Sequence, residues 1–256
     1  MTPDIKQPIA EYESTTDHWV RWRVLDVLFH LQDRQVVPDL IAALATPTDQ
    51  TRVLVIVALD QLGDERAVGP LIGILERKEY GSARANVGGA AVAALGRLGE
   101  ARALDVLVAA LDHSLTHYQA VEALGKLADV RVVPALIAAM HAFKLPSAAT
   151  VLGNFGDARA VEPLITELRA VQQPRPPEHL DKSKRWDGIY FYYIIRALGK
   201  LGDPRALPIL EWVREHQTEP VLKGKSLSDL ATRAIQRIRE RMGSEMPGTN
   251  EDHPRP

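Results

Sequence analysis

The sequence predicts an all-α solenoid of about seven stacked helical hairpins. Three observations predict it. One phrase recurs six times, each copy breaks at an acidic residue that in four copies follows a glycine, and apolar residues on both sides of the break keep helical spacing. The copies are DVLFHLQDRQVVPDLIAAL (26–44), VALDQLGDERAVGPLIGIL (57–75), AALGRLGEARALDVLVAAL (93–111), EALGKLADVRVVPALIAAM (122–140), TVLGNFGDARAVEPLITEL (150–168) and RALGKLGDPRALPILEWV (196–213).

Each copy reads as the end of one helix, a tight turn and the start of the next. The pairs Leu95/Leu98, Leu124/Leu127 and Leu198/Leu201 put one apolar stripe along the first helix. Gly63, Gly99, Gly156 and Gly202 stand where that helix must stop, because glycine tolerates the left-handed conformation. The acidic anchors Asp33, Asp64, Glu100, Asp129, Asp157 and Asp203 follow, placed to accept bonds from the free N–H groups of the next helix. Arg66, Arg102, Arg131, Arg159 and Arg205, two positions on, are expected to reach acids in neighbouring copies. The first copy has Gln35 there. Prolines 38, 70, 134, 163 and 208 should delay or kink the following helix. A hairpin of this kind buries its stripe only against neighbours, so the copies must stack.

Composition narrows the functions. Hydrophobic residues make up 46 % of the 256 and aromatics only 5 %, so the core is aliphatic. A net charge of -2 supplies no global attraction for nucleic acid or an anionic membrane. The absence of cysteine excludes disulfides, thiolate metal sites and cysteine nucleophiles. The opening MTPDIKQPIAEYE has no basic start followed by an apolar run, and no apolar stretch approaches ~20 residues. A cytoplasmic location without a signal peptide or membrane span is the expectation.

The recurring phrase resembles the HEAT-like repeats of phycobilin lyases of the E/F type, over roughly residues 19–242. That motif specifies an architecture rather than an activity. The resemblance implies right-handed stacking, with the second helix of each pair lining a concave face. The expected domain is a single solenoid over 1–242, with pairs from 4–13/17–31 to 204–216/226–241 and a disordered tail at 243–256. Two irregular places interrupt it. ERKEYGSARANVGG (76–89) brings glycines into a helix start, where small residues would permit close helix contact, and the segment 172–187 is a long proline-bearing loop.

Aligning the copies on Leu28, Leu59, Leu95, Leu124, Leu152 and Leu198 separates core from face. Residues three, four and seven earlier join the core, which places Phe191, Ile194 and Ile195 inside. The opposite face carries three columns. Five before the anchor leucine stand Arg23, Leu54, Ala90, Gln119, Ser147 and Tyr193; two before, Asp26, Val57, Ala93, Glu122, Thr150 and Arg196; two after, His30, Gln61, Arg97, Lys126, Asn154 and Lys200. Five of the chain's fourteen aromatics fall between Trp186 and Tyr193, and Tyr and Arg dominate binding hot spots. The candidate partner-binding residues are therefore Tyr193, Arg196, Lys200, Trp186 and Tyr192, with Arg23, Glu122 and Lys126 elsewhere on the face. A second aromatic stretch, HWVRWRVLDVL (18–28), is expected to bury Trp19 or Trp22, and Trp212 is expected in the core.

Chemistry finds little support. His113 and His117 are four apart, but His113 falls before the helix and a third ligand is lacking, so no metal is expected. Deoxyhypusine hydroxylases have similar repeats and bind iron through His-Glu pairs; the matching positions here hold Gly89-Ala90 and Tyr118-Gln119. Trp22, Arg23 and Asp26 resemble the site residues of HEAT-like DNA glycosylases, yet Ala90, Ala93, Glu122 and Ser147 break any phosphate track. No Walker loop or nucleophile motif is present. The expected function is a non-catalytic scaffold, without cofactor, holding a protein or peptide on the concave face and the 172–188 loop. The alternative is a phycobilin-lyase-like or chaperone role gripping a tetrapyrrole and its acceptor protein. DNA binding or repair ranks below both.

Overall fold

The computed structural model describes residues 5–15, 17–29, 33–46, 48–82, 86–172, 184–222 and 224–244, without the side chains at 18, 21, 22, 25, 28, 29, 184–187 and 222. The expectations for the loop at 172–187 and the tail at 243–256 fall almost wholly outside those residues, as do those for the side chains of Trp22, His30 and Trp186. The chain divides into two compact units, Met1–Ala135 and Leu136–Pro256.

The first unit contains α1 (Lys6–Ser14), α2 (His18–Phe29), α3 (Val37–Ala43), α4 (Asp49–Leu62), α5 (Val68–Glu76), α6 (Val87–Leu98), α7 (Leu104–Ala109), α8 (His117–Leu127) and the start of α9 (Val133–Phe143). Helices pair as α1/α2, α3/α4, α5/α6 and α7/α8. The second members lie side by side, α2 on α4, α4 on α6 and α6 on α8. The second unit holds the end of α9, then α10 (Pro146–Phe155), α11 (Val161–Arg169), α12 (Lys184–Leu201) and α13 (Leu207–His216). A two-stranded antiparallel ribbon, β1 (Pro220–Leu222) and β2 (Lys225–Ser226), precedes α14 (Leu227–Ser244). Here α10, α12 and α14 form the row of second helices.

The repeat punctuation works as its chemistry dictates. Gly63, Gly99, Gly156 and Gly202 end α4, α6, α10 and α12 with φ between 58 and 74°. Ala128 takes the same role after α8 at φ 54°, against its own Cβ. Asp33, Asp64, Asp129, Asp157 and Asp203 each accept a bond from the backbone N–H two residues on. Glu100, one methylene longer, makes no such cap. A single 3-10 turn follows each anchor, and the α-helix begins only after it, so the prolines sit within the first turn of the delayed helix.

The arginines depart from expectation in part. Arg66, Arg131, Arg159 and Arg205 fold back on the Asp of their own copy, at 2.6–2.7 Å. The Asp that caps the Arg backbone N–H already lies one short turn from its guanidinium, so the local fork closes first. Contacts with the preceding copy are additional: Arg66 donates to the Arg34 carbonyl at 2.7 Å, and Arg205 stands 3.5 Å from Glu162.

The predicted stripe is the core. Leu59, Leu95, Leu124 and Leu152 are fully buried and Leu198 nearly so, together with Ile56, Val92, Val121, Ala149 and Ile195. Neighbouring helices in each row touch through small residues. A Cβ added at Gly96 would lie 2.5 Å from the Ala123 Cβ, and one at Gly153 would lie 2.7 Å from the Ala197 Cα. The glycines at the start of α6 behave as their size suggests. A Cβ at Gly88 would strike Tyr80 at 2.4 Å, while Asn86 caps the helix by accepting from the Gly89 N–H.

Candidate partner-binding site

The aromatic helix α12 is turned further than the stripe alone predicts. Ile194 and Ile195 are buried as expected, but Phe191 is only half-buried and the buried aromatic is Tyr190. The reason is polar. Tyr190 Oη donates to Glu167 Oε2 at 3.0 Å and lies 3.3 Å from the Met140 carbonyl oxygen. Glu167, on α11, is itself buried and also faces Lys144 Nζ at 2.7 Å and His141 Nδ1. Burial pushes the Glu167 carboxyl up, but the bonds from Lys144 and His141 and the lysine charge more than offset it, leaving it below the usual range. Burial, then the Glu167 charge, pushes the Tyr190 hydroxyl far up, so it stays a donor. Sequence reasoning missed this cluster because no local pattern links 141, 144, 167 and 190.

With Tyr190 inward, Tyr192 and Tyr193 take the outer flank, half-buried and edge to face at 5.3 Å between centroids. Arg196 is exposed, its guanidinium 5.7 Å from the centre of the Tyr192 ring. Lys200 is half-buried and donates to Asn154 of α10. The structure thus brings Tyr192, Tyr193, Arg196 and Lys200 together on one flank of α12. Trp186 lies on the first turn of that helix, with its side chain outside the description.

This flank continues onto α14. RAIQRIR (233–239) repeats the register of RALGKLG (196–202), setting Arg233 in the column of Arg196 and Arg237 in that of Lys200. Arg196, Arg233 and Arg237 rim a cleft of about 250 Å³ whose walls include Tyr192, Ile195 and Leu230. The beginning of this second unit's face is neutral, carrying Ser147, Thr150 and Asn154.

The face of the first unit is self-neutralising. Glu122 and Lys126 pair with each other at 2.8 Å, and Arg97 donates to Asp60 at 2.6 Å. Arg23 binds Glu11. Leu54, expected on this face, is buried instead. Of the pair Trp19 and Trp22, one of which is expected to be buried, Trp19 is 76 % exposed and the Trp22 side chain lies outside the description; Trp212 is half-buried and stacked on His216 at 4.4 Å rather than sealed in the core. His113 precedes α8 and stacks on Tyr80 at 4.0 Å, so it shares no helix with His117. Among the described residues no group of three His, Cys, Asp or Glu could hold a metal ion, and no helix is long and apolar enough to cross a membrane.

The model of HEAT repeats matches residues 5–89, and that of the PBS lyase HEAT-like repeat matches 87–113, 117–141, 147–169 and 191–215. The chain is a HEAT-like repeat protein. Its fold class is the all-α solenoid of helical hairpins. No curated protein matches it. Among solved structures, human deoxyhypusine hydroxylase in complex with glycerol is 16 % identical with a TM-score of 0.36, over 92 % of this chain and 96 % of that one. The complex of CpcE and CpcF of phycocyanin lyase from Nostoc sp. PCC7120 is 20 % identical with a TM-score of 0.47, over 94 % and 95 %. At these scores neither likeness carries an argument about this HEAT-like repeat protein's activity.

Proposed function

We propose that the protein is a non-catalytic interaction scaffold that holds a protein or peptide partner on the exposed flank of α12. Tyr193, Arg196 and Lys200 are the anchors, with Tyr192 and Trp186 in support. The carrying observation is the exposed Arg196 held over the Tyr192 ring. The pair offers a cation and aromatic surface already ordered before a partner arrives, which lowers the entropy cost of binding. The bond from Lys200 to Asn154 orders the third anchor in the same way. The charges of Arg23, Glu122 and Lys126, in the first unit, are already satisfied there.

A tagged pull-down from the source organism's lysate, read by mass spectrometry, tests this. A partner retained by the parent and lost by Tyr193→Ala/Arg196→Ala is the expected result, with unchanged helicity as the folding check. Arg196→Ala alone, at an exposed position, repeats the test without opening the buried core. Truncating a true anchor should cost about 2 kcal/mol of binding. A partner retained by both variants would overturn the site.

A bilin-handling role is the second reading, favoured by the four segments of PBS lyase HEAT-like repeat. Adding a bilin and recording its visible absorbance tests it; an unchanged spectrum removes it.

A further inference from the structure

We propose that the α12–α14 flank of the second unit is a docking surface for an acidic peptide segment of a partner protein. This rests on the scaffold function proposed above and adds the partner's chemistry. The two helices sit close because Gly199 receives Ala234, where an added Cβ would stand 2.9 Å from the alanine Cβ. Their shared register therefore lays Arg196 beside Arg233 and Lys200 beside Arg237. Arg241 follows one turn later and lines a second recess with Lys200 and Arg237.

The balance of charge there is one-sided. Elsewhere cations face acids: Arg205 with Asp203, Arg214 with Glu215, Arg239 with Glu211 and Lys126 with Glu122. On this flank Arg196 lies over a ring, Lys200 donates to an amide, and Arg241 donates to the Leu201 carbonyl. Among the described residues the acids nearby are Glu240, which lines the recess of Lys200, Arg237 and Arg241 and accepts from Gln236, and Asp229, which accepts from Ser226 and feels the Arg233 charge. Like charges one turn apart repel along a helix, and Arg233, Arg237 and Arg241 stand in such a row on α14.

The spacing suits carboxylates on an extended chain. Arginines four residues apart on a helix rise by about 6 Å. Alternate side chains of an extended peptide repeat every ~6.6 to 6.8 Å. Acids at every second position would meet Arg233, Arg237 and Arg241 in turn, each guanidinium able to fork onto a carboxylate. The apolar floor at Tyr192, Ile195 and Leu230 would take the stem of an intervening side chain. A nucleic-acid strand fits less well. The cations end at α12, since α10 carries Ser147, Thr150 and Asn154 in the same columns, and Tyr192 has Arg196 over its ring instead of a free face for a base.

Fluorescence anisotropy on the full chain tests this with a labelled ten-residue peptide of alternating Glu and Gly. Its Gln/Gly counterpart and a ten-residue oligothymidine are the comparison probes. The Glu peptide should bind in low salt and lose affinity as salt rises, and the Gln peptide should not bind. Arg233→Gln/Arg237→Gln should weaken the Glu peptide at least tenfold, whereas Arg102→Gln/Arg214→Gln, which removes the same charge elsewhere, should leave it within twofold. Equal loss in both double variants, oligothymidine bound as tightly as the Glu peptide, or no binding in low salt would each overturn the assignment. A lysate partner lost by Tyr193→Ala/Arg196→Ala but retained by Arg233→Gln/Arg237→Gln would leave the scaffold function standing and remove the acidic-segment assignment alone.

Discussion

Tyr190 Oη donates to Glu167 Oε2 across 3.0 Å, and that bond selects the aromatic of the GIYFYYII run that enters the core. Replacing Tyr190 by Phe removes one donor from a carboxylate that keeps Lys144 and His141, so it should cost about 1–1.5 kcal/mol. Tyr190→Ala also opens a cavity and should cost about 3–5 kcal/mol. Phe191→Ala, at a half-buried position, should cost less. Urea unfolding of the three variants checks the order; a larger loss for Phe191 than for Tyr190 would return Phe191 to the core.

Acid should destabilise the fold through carboxyls held below their ordinary range. Asp64 is drawn from 3.8 to about 2 by the side-chain and then the backbone bond with Arg66, and Asp129, Asp157 and Asp203 are lowered by their own arginines. A lowered carboxyl means that the unfolded chain takes up the proton first. The contribution is complete above about pH 5, fades as pH falls through the ordinary carboxyl range, and is gone below about pH 2. Asp64→Asn keeps a capping side chain but loses this charge, so its urea midpoint should change less between pH 4 and pH 2 than the parent's.

Gly153→Ala should destabilise by about 1–3 kcal/mol, because the new methyl would meet the Ala197 backbone at 2.7 Å and force α10 away from α12. Thermal unfolding measures it. A neutral result would mean that the row of second helices relaxes freely.

Ala128→Gly should stabilise by about 0.5–1 kcal/mol. The alanine ends α8 at φ 54°, where the four related stops use glycine, and relief of its Cβ should exceed the added freedom of the unfolded chain. A loss of stability in urea would refute this.

The placement of much of the candidate site along its helix was legible in the sequence. The columns placed Tyr193, Arg196 and Lys200 on one flank because side chains at −5, −2 and +2 from a buried leucine must point away from it. They misplaced Leu54 and the order of Tyr190 and Phe191, since column averages carry no information about a particular neighbour. They also gave the arginines to neighbouring copies, although the nearest acid in space was two residues away along the chain.

The sequence by itself determined the repeat, its stops and caps, and its aliphatic stripe, because these depend on backbone conformation and spacing within about twenty residues. Only the tertiary structure decided the exact turn of α12 and the gathering of basic side chains on α12 and α14. Glu167 rotates α12 through a bond spanning 23 residues, and the Gly199–Ala234 contact brings Arg196 and Arg233 side by side from 37 residues apart. Contacts of that range depend on how the helices pack, which no local pattern encodes.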